Sequence, residues 1–129
     1  MNTTVNKALA HWGMAGAEAA LVAARENAVY EVKAAAAQYA LRLHRTGYRS
    51  DAELSSELAW MAACAAGGIS VPAPVAAVDG SFLAHVDGMQ VDVLSWLSGR
   101  TLDVVLSEAT PSERAALFHA LGRAMARFH

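Results

Sequence analysis

From Gln38 to His44 the residues alternate in a pattern that suits an extended strand. Tyr39, Leu41 and Leu43 fall on one side and Ala40, Arg42 and His44 on the other, because successive side chains of a strand point to opposite faces. Fifteen positions after Arg42, Glu57 stands in an apolar run with helical spacing at Leu54, Leu58, Met61 and Ala65. A strand that offers a cation, followed by a helix that offers a carboxylate, points to a sheet with a helix packed against it. Arg42 can fork onto phosphate oxygens, the small Ala40 leaves room for a flat ring, and Glu57 can hold the guanidinium in place. On spacing alone, Arg42 and Glu57 also read as ordinary solvated charges.

The rest of the chain supplies strands around that pair. Leu21 and Val22 lead into Arg25-Glu26-Asn27, and Val29, Tyr30 and Val32 follow, so the polar triplet is expected as a hairpin turn. Ala34 to Ala37 gives a less distinct second turn. Phe82 to Val86 and Gln90 to Trp96 are two further strands, joined by the strong turn signal Asp87-Gly88. Ser50 or Asp51 can cap the Glu57 helix, and Gly67-Gly68 ends it. Val71-Pro72-Ala73-Pro74-Val75 is an extended connector.

Towards the ends of the chain the pattern is helical. Thr4 to Trp12 is expected as a short helix that acts as a packing appendage. Ser98-Gly99-Arg100 marks a boundary, and a short helix is expected over Leu102 to Leu106. Thr110-Pro111-Ser112-Glu113 opens a last helix with Leu117, Leu121, Met125 and Phe128 on one face. Hairpin-joined strands imply a largely antiparallel sheet, so the fold class is α+β: five strands and one packed helix. Residues 1–97 form one unit and 98–129 a second.

Composition narrows the function classes. The chain has 129 residues, 55% hydrophobic and 17% charged, which suits a folded domain with a modest core. Much of the apolar share is alanine, so the core is expected to come from Leu, Val, Trp, Phe and Met. Trp12, Trp60 and Trp96 are expected as core or interface anchors. A net charge of -2 makes no case for nucleic acid or an anionic membrane. The single Cys64 reads as a small buried hydrophobe, and the five histidines show no metal-ligand spacing. Without a signal peptide or a membrane-length apolar run, the expected location is cytoplasmic.

Five segments in order then carry a resemblance: 27–32, Tyr39-Ala40-Leu41-Arg42-Leu43, Ser56-Glu57-Leu58-Ala59-Trp60-Met61, Val71-Pro72-Ala73-Pro74-Val75 and Trp96-Leu97-Ser98-Gly99-Arg100-Thr101-Leu102. Together they resemble the N-terminal lobe of the aminoglycoside phosphotransferase-like family, closest to its homoserine-kinase and stress-kinase branch. The resemblance implies a protein-kinase-like N-lobe, followed by a linker and the first helix of a truncated C-lobe. It implies that Arg25, Glu26 and Asn27 cover the nucleotide phosphates, that Arg42 contacts them, and that Glu57 braces Arg42. Ser95, Trp96 and Leu97 would be the hinge whose backbone binds adenine, with Gly99 and Arg100 beginning the crossing to a second lobe. His44 would border the cleft.

Two departures stand out. The first hairpin lacks the glycines that let backbone amides approach phosphate. No His-Gly-Asp loop with a downstream Asn and a metal-binding Asp occurs in the sequence, so no catalytic residue is assigned. The expected function is therefore the ATP-binding lobe of a small-molecule phosphotransferase, incomplete and inactive alone, with Mg2+ entering only with the missing lobe. The alternative is a stand-alone nucleotide-binding module that self-associates through the 111–129 helix.

Overall fold

The chain divides into two compact units, Met1–Leu97 and Ser98–His129, and the computed structural model describes residues 3–97 and 107–127. The first unit is built on strands β1 (Glu18–Ala24), β2 (Asn27–Ala34), β3 (Ala37–His44), β4 (Ala84–Val86) and β5 (Met89–Ser95). Their order in the sheet is β1-β2-β3-β5-β4, with every pair antiparallel, as the hairpin pattern predicts. Helix α1 (Thr3–Ala10) precedes the sheet and α2 (Asp51–Ala66) follows β3. The second unit contains α3 (Pro111–Ala126).

Two of the turns form for different reasons. Asp87 and Gly88 join β4 to β5 with φ of 50° and 80°, the left-handed pair that an Asp-Gly hairpin favours. Ala35 and Ala36 join β2 to β3 with φ of 49° and 67°, where a Cβ costs about 1–2 kcal/mol per residue. No local preference produces that turn. An unbroken register from Asn27↔His44 to Ala34↔Ala37 imposes it.

The register also assigns the faces. Tyr30, Leu41 and Val93 stand in line across β2, β3 and β5, and Val32, Leu43 and Val91 lie on the same side. Val5, Ala8 and Leu9 of α1 pack into that cluster together with Trp12. Trp12 Nε1 donates to the Val75 carbonyl at 2.7 Å, and Val78 N–H donates to His11 O at 2.8 Å, so α1 is bonded to the connector. The helix is thus part of the core, not an appendage, and the sheet carries a helix on each face rather than one.

The core matches the expected one in its Leu, Val and Trp12 members and departs from it in Phe and Met. Among the described residues, its buried members are Leu, Val and Ala side chains with Trp12 and Cys64. No Phe or Met is among them, and Trp60 lies 58% exposed on α2. Ala8, Ala77 and Ala84 are among its buried members, and Tyr30, Tyr39 and Met14 pack partly buried against it.

On the opposite face, α2 buries Leu54 and Leu58 and places Cys64 out of solvent. Met61 of the expected stripe is only half-buried. Ser50 accepts a hydrogen bond from Glu53 N–H, and Glu53 accepts one from Ser50 N–H, a reciprocal cap that closes the N-terminus. Gly68 at φ 86° and the Ile69 N–H to Cys64 O bond close the other end in a Schellman turn. The connector runs along β5: Val75 N–H donates to Val93 O and Ser95 N–H to Ala73 O. It covers the half of β5 that the three-residue β4 leaves open.

In the second unit, Thr110 and Glu113 form the expected reciprocal cap with Pro111 in the first turn of α3. Phe118, Leu121 and Met125 on this helix are exposed. The boundary at Ser98-Gly99-Arg100, the helix expected over Leu102 to Leu106, and the chain end at Phe128 and His129 lie outside the described residues. Among the described residues, no helix is long and apolar enough to cross a membrane.

Candidate functional site

Arg42 is central to β3, and its partner across the ladder is Asp92 of β5. Paired residues of an antiparallel ladder share a face, so the two side chains meet on the α2 side. Arg42 Nε donates to Asp92 Oδ1 at 2.6 Å and Nη2 donates to Oδ2 at 3.0 Å, a two-pronged pairing. His44, two residues along the same face, brings Nε2 to 2.6 Å from Asp92 Oδ2. Asp92 is fully buried and His44 nearly so. A buried carboxylate is tolerated because both oxygens are engaged and a full positive charge lies against it.

Glu57 of α2 also reaches this cluster, but less closely. Its Oε1 lies 3.5 Å from Arg42 Nη1, while Oε2 accepts from Arg49 Nη1 at 2.6 Å. Burial by itself depresses the Arg42 pKa and is the largest single influence on it. The hydrogen bonds and charge of Asp92, joined by Glu57, outweigh that effect and leave the pKa raised, so Arg42 is a permanent cation. The base of α2 is tied to the sheet separately: Asp51 accepts from Gln90 Nε2 at 2.7 Å and lies 3.0 Å from His85 Nε2. The Gln90 hydrogen bond, then that of His85, holds the Asp51 carboxyl below its usual range.

The other expected residues are distributed around this centre. Ala40 lies on the Arg42 face opposite Leu94. Arg25, Glu26 and Asn27 form the tip of the β1–β2 hairpin, where Arg25 N–H donates to Asn27 O and Arg45 Nη2 donates to Arg25 O at 2.8 Å. A cavity of about 390 Å³ lies under that tip, lined by Thr4, Arg25, Asn27, Leu43, Arg45 and Met89 among others. His44 also lines it, and Arg42 is not among its lining residues. Ser95 ends β5 with its N–H given to Ala73 O and its Oγ accepting from Ala73 N–H. Trp96 N–H donates to Gln38 O at 3.4 Å, and Leu97 is exposed.

Sequence reasoning missed Asp92 and Arg49 altogether. Asp92 carried a usable signal: it is the lone charge inside Val91-Asp92-Val93-Leu94, where a solvated carboxylate would have no place. Among the described residues, no three His, Cys, Asp or Glu side chains cluster so as to hold a metal ion. Asp92 and Glu57 are instead engaged with Arg42 and Arg49.

The profile of the phosphotransferase enzyme family, APH, matches residues 18–129. The chain belongs to that family. No curated protein sequence matches this phosphotransferase-family chain. Among solved structures it is similar to a microcompartment-associated aminopropanol kinase, with 33% identity over 78% of this chain and 33% of that one, at a TM-score of 0.69. It is also similar to the amicoumacin kinase hAmiN, solved in complex with AMP-PNP, Ca2+ and Ami, with 26% identity over 65% of this chain and 27% of that one, at a TM-score of 0.60. Spectinomycin phosphotransferase APH(9)-Ia, in complex with ADP and spectinomycin, shares the fold at 13% identity, covering 74% of this chain and 29% of that one, with a TM-score of 0.54. The phosphotransferase-family chain therefore spans about a third of the length of these kinases. The kinase-like α+β architecture agrees with the sequence reading.

Proposed function

We propose that residues 3–97 are the ATP-binding lobe of a phosphotransferase that passes the γ-phosphate to a hydroxyl group of a small molecule. The observation that carries this reading is Arg42, a permanent cation locked on the central strand of a family-matched sheet. A fixed guanidinium aimed from a low-dielectric wall stabilises phosphate charge without reorganising. Similarity to a kinase solved with AMP-PNP supports an adenine nucleotide as the ligand. The N–H groups of Ser95 and Trp96 are engaged within the protein, so adenine recognition by this segment falls to carbonyls and to Leu97. The described residues form no metal cluster and the sequence has no His-Gly-Asp loop. The 129-residue chain is therefore expected to bind ATP without turning it over.

Calorimetry with ATP and adenosine tests the reading. The suitable variant is Arg42→Met/Asp92→Asn, which removes the cation, leaves no bare carboxylate, and keeps a polar partner for His44. Loss of a charge-assisted contact is expected to weaken ATP by about tenfold or more, with adenosine unaffected. Equal ATP affinity in the two proteins would reject the phosphate role of Arg42.

The exposed Phe118, Leu121 and Met125 of α3 favour a second reading, self-association of this chain through that helix. Sedimentation velocity of the wild type should then show a dimer that Leu121→Glu dissociates. A monomer at all concentrations removes this reading.

A further inference from the structure

We propose that Asp92, a residue of the sheet itself, positions Arg42 for the phosphates, and that α2 adds only a weak second contact. The functional half of this inference rests on the nucleotide-binding reading above. The resemblance implied the opposite assignment, with the helix carboxylate Glu57 as the brace.

The geometry separates the two carboxylates. Asp92 takes two guanidinium nitrogens at 2.6 and 3.0 Å, a planar fork that fixes both the position and the orientation of the group. Glu57 meets one nitrogen at 3.5 Å, beyond the distance of a good N–H···O bond. Its other oxygen is held at 2.6 Å by Arg49, so Glu57 is directed more firmly towards the β3–α2 loop than towards Arg42. Burial points the same way: the Asp92 side chain is 0% exposed and that of Glu57 30%, so solvent screens only the latter.

The frame behind each carboxylate also differs. Arg42 and Asp92 are opposed across the β3–β5 ladder, and His44 on β3 holds Asp92 Oδ2 from the other side. Three side chains on two bonded strands therefore form one rigid unit. A shift of α2 would break the 3.5 Å contact and leave the fork intact. The lobe accordingly presents its phosphate cation independently of the position of the helix. With Nε–H and one Nη2–H committed to Asp92, the donors left for a phosphate oxygen are the second Nη2–H and the Nη1 hydrogens, which Glu57 meets only at 3.5 Å.

Two measurements on the 129-residue chain test this. The first follows arginine Nε–H signals in ¹⁵N-labelled protein, with Arg42→Lys identifying the Arg42 signal. That signal is expected to be slowly exchanging in wild type, retained in Glu57→Gln and lost in Asp92→Asn. The second compares ATP with adenosine. Asp92→Asn is expected to weaken ATP by about tenfold and leave adenosine unchanged, whereas Glu57→Gln changes ATP by no more than about threefold. The direction discriminates, since removing a negative charge without losing alignment would tighten ATP binding.

Loss of the Arg42 signal in Glu57→Gln, or a larger ATP effect there than in Asp92→Asn, overturns the proposal. Glu57 is on a helix surface, so that arm remains decisive even if Asp92→Asn fails to fold. Failure of wild type to bind ATP, with the signal pattern as expected, overturns the nucleotide-binding reading and with it the phosphate role of Asp92. The signal pattern failing while ATP binds overturns the positioning assignment alone.

Discussion

Arg42→Met should lower the unfolding free energy by about 3–5 kcal/mol, because it strands the Asp92 carboxylate in the interior without its counter-charge. The methionine fills much of the volume of the arginine stem, so the loss is electrostatic and not a cavity effect. Adding Asp92→Asn should restore more than half of the lost stability. The neutral amide needs no cation and can still bond His44. Urea unfolding of the three proteins gives the comparison. If Arg42→Met alone costs less than about 1 kcal/mol, the pair behaves as an exposed ion pair and the cluster is wetter than the structure indicates. If the double variant is no more stable than the single one, the cost lies in the lost arginine packing.

Leu9→Ala should be comparably damaging, at about 2–5 kcal/mol, since Leu9 is fully buried among the β-sheet valines and leucines. The result is informative because α1 lies before residue 18, where the family match begins. Position outside the matched segment would suggest a dispensable extension. Val5, Ala8, Leu9 and Trp12 are each no more than 8% exposed, which argues that the sheet loses its cover on one face without them. Thermal and urea unfolding of Leu9→Ala alongside Trp12→Phe separates two contributions. The latter should cost about 1 kcal/mol or slightly more, mainly through the bond from Nε1 to Val75 O. A change below about 1 kcal/mol for Leu9→Ala would mean that α1 packs loosely.

Local chemistry made much of the architecture legible. The period-two alternation of 38–44 places Leu41 and Leu43 in the core and Arg42 on the opposite face. Asp87-Gly88, the Ser50 and Thr110 caps and Gly67-Gly68 each act within a few residues, and the structure uses each as expected. The Ala35-Ala36 turn was faint because alanine has no preference for left-handed backbone, and only the paired strands on either side hold it there. The core was legible in its Leu and Val positions and misjudged in its larger side chains. Side-chain size argued for Phe and Trp side chains as core or interface anchors, but Phe82 and Trp60 both stay at least partly in water.

The candidate site divides along the same line. Residue type and strand period sufficed to single out Arg42 as a cation on one face and Glu57 as a carboxylate on the following helix, because both properties are local. Which carboxylate holds Arg42 is not local. It depends on β5 pairing with β3 in a register that sets Asp92, fifty residues away, directly opposite. The same register decides that His44 is buried against Asp92. Spacing along the chain carries no information about a ladder closed across fifty residues. The sequence by itself determined which faces carry Arg42 and Glu57, and only the tertiary structure decided which partner fixes Arg42, because strand pairing sets distances that periodicity cannot encode.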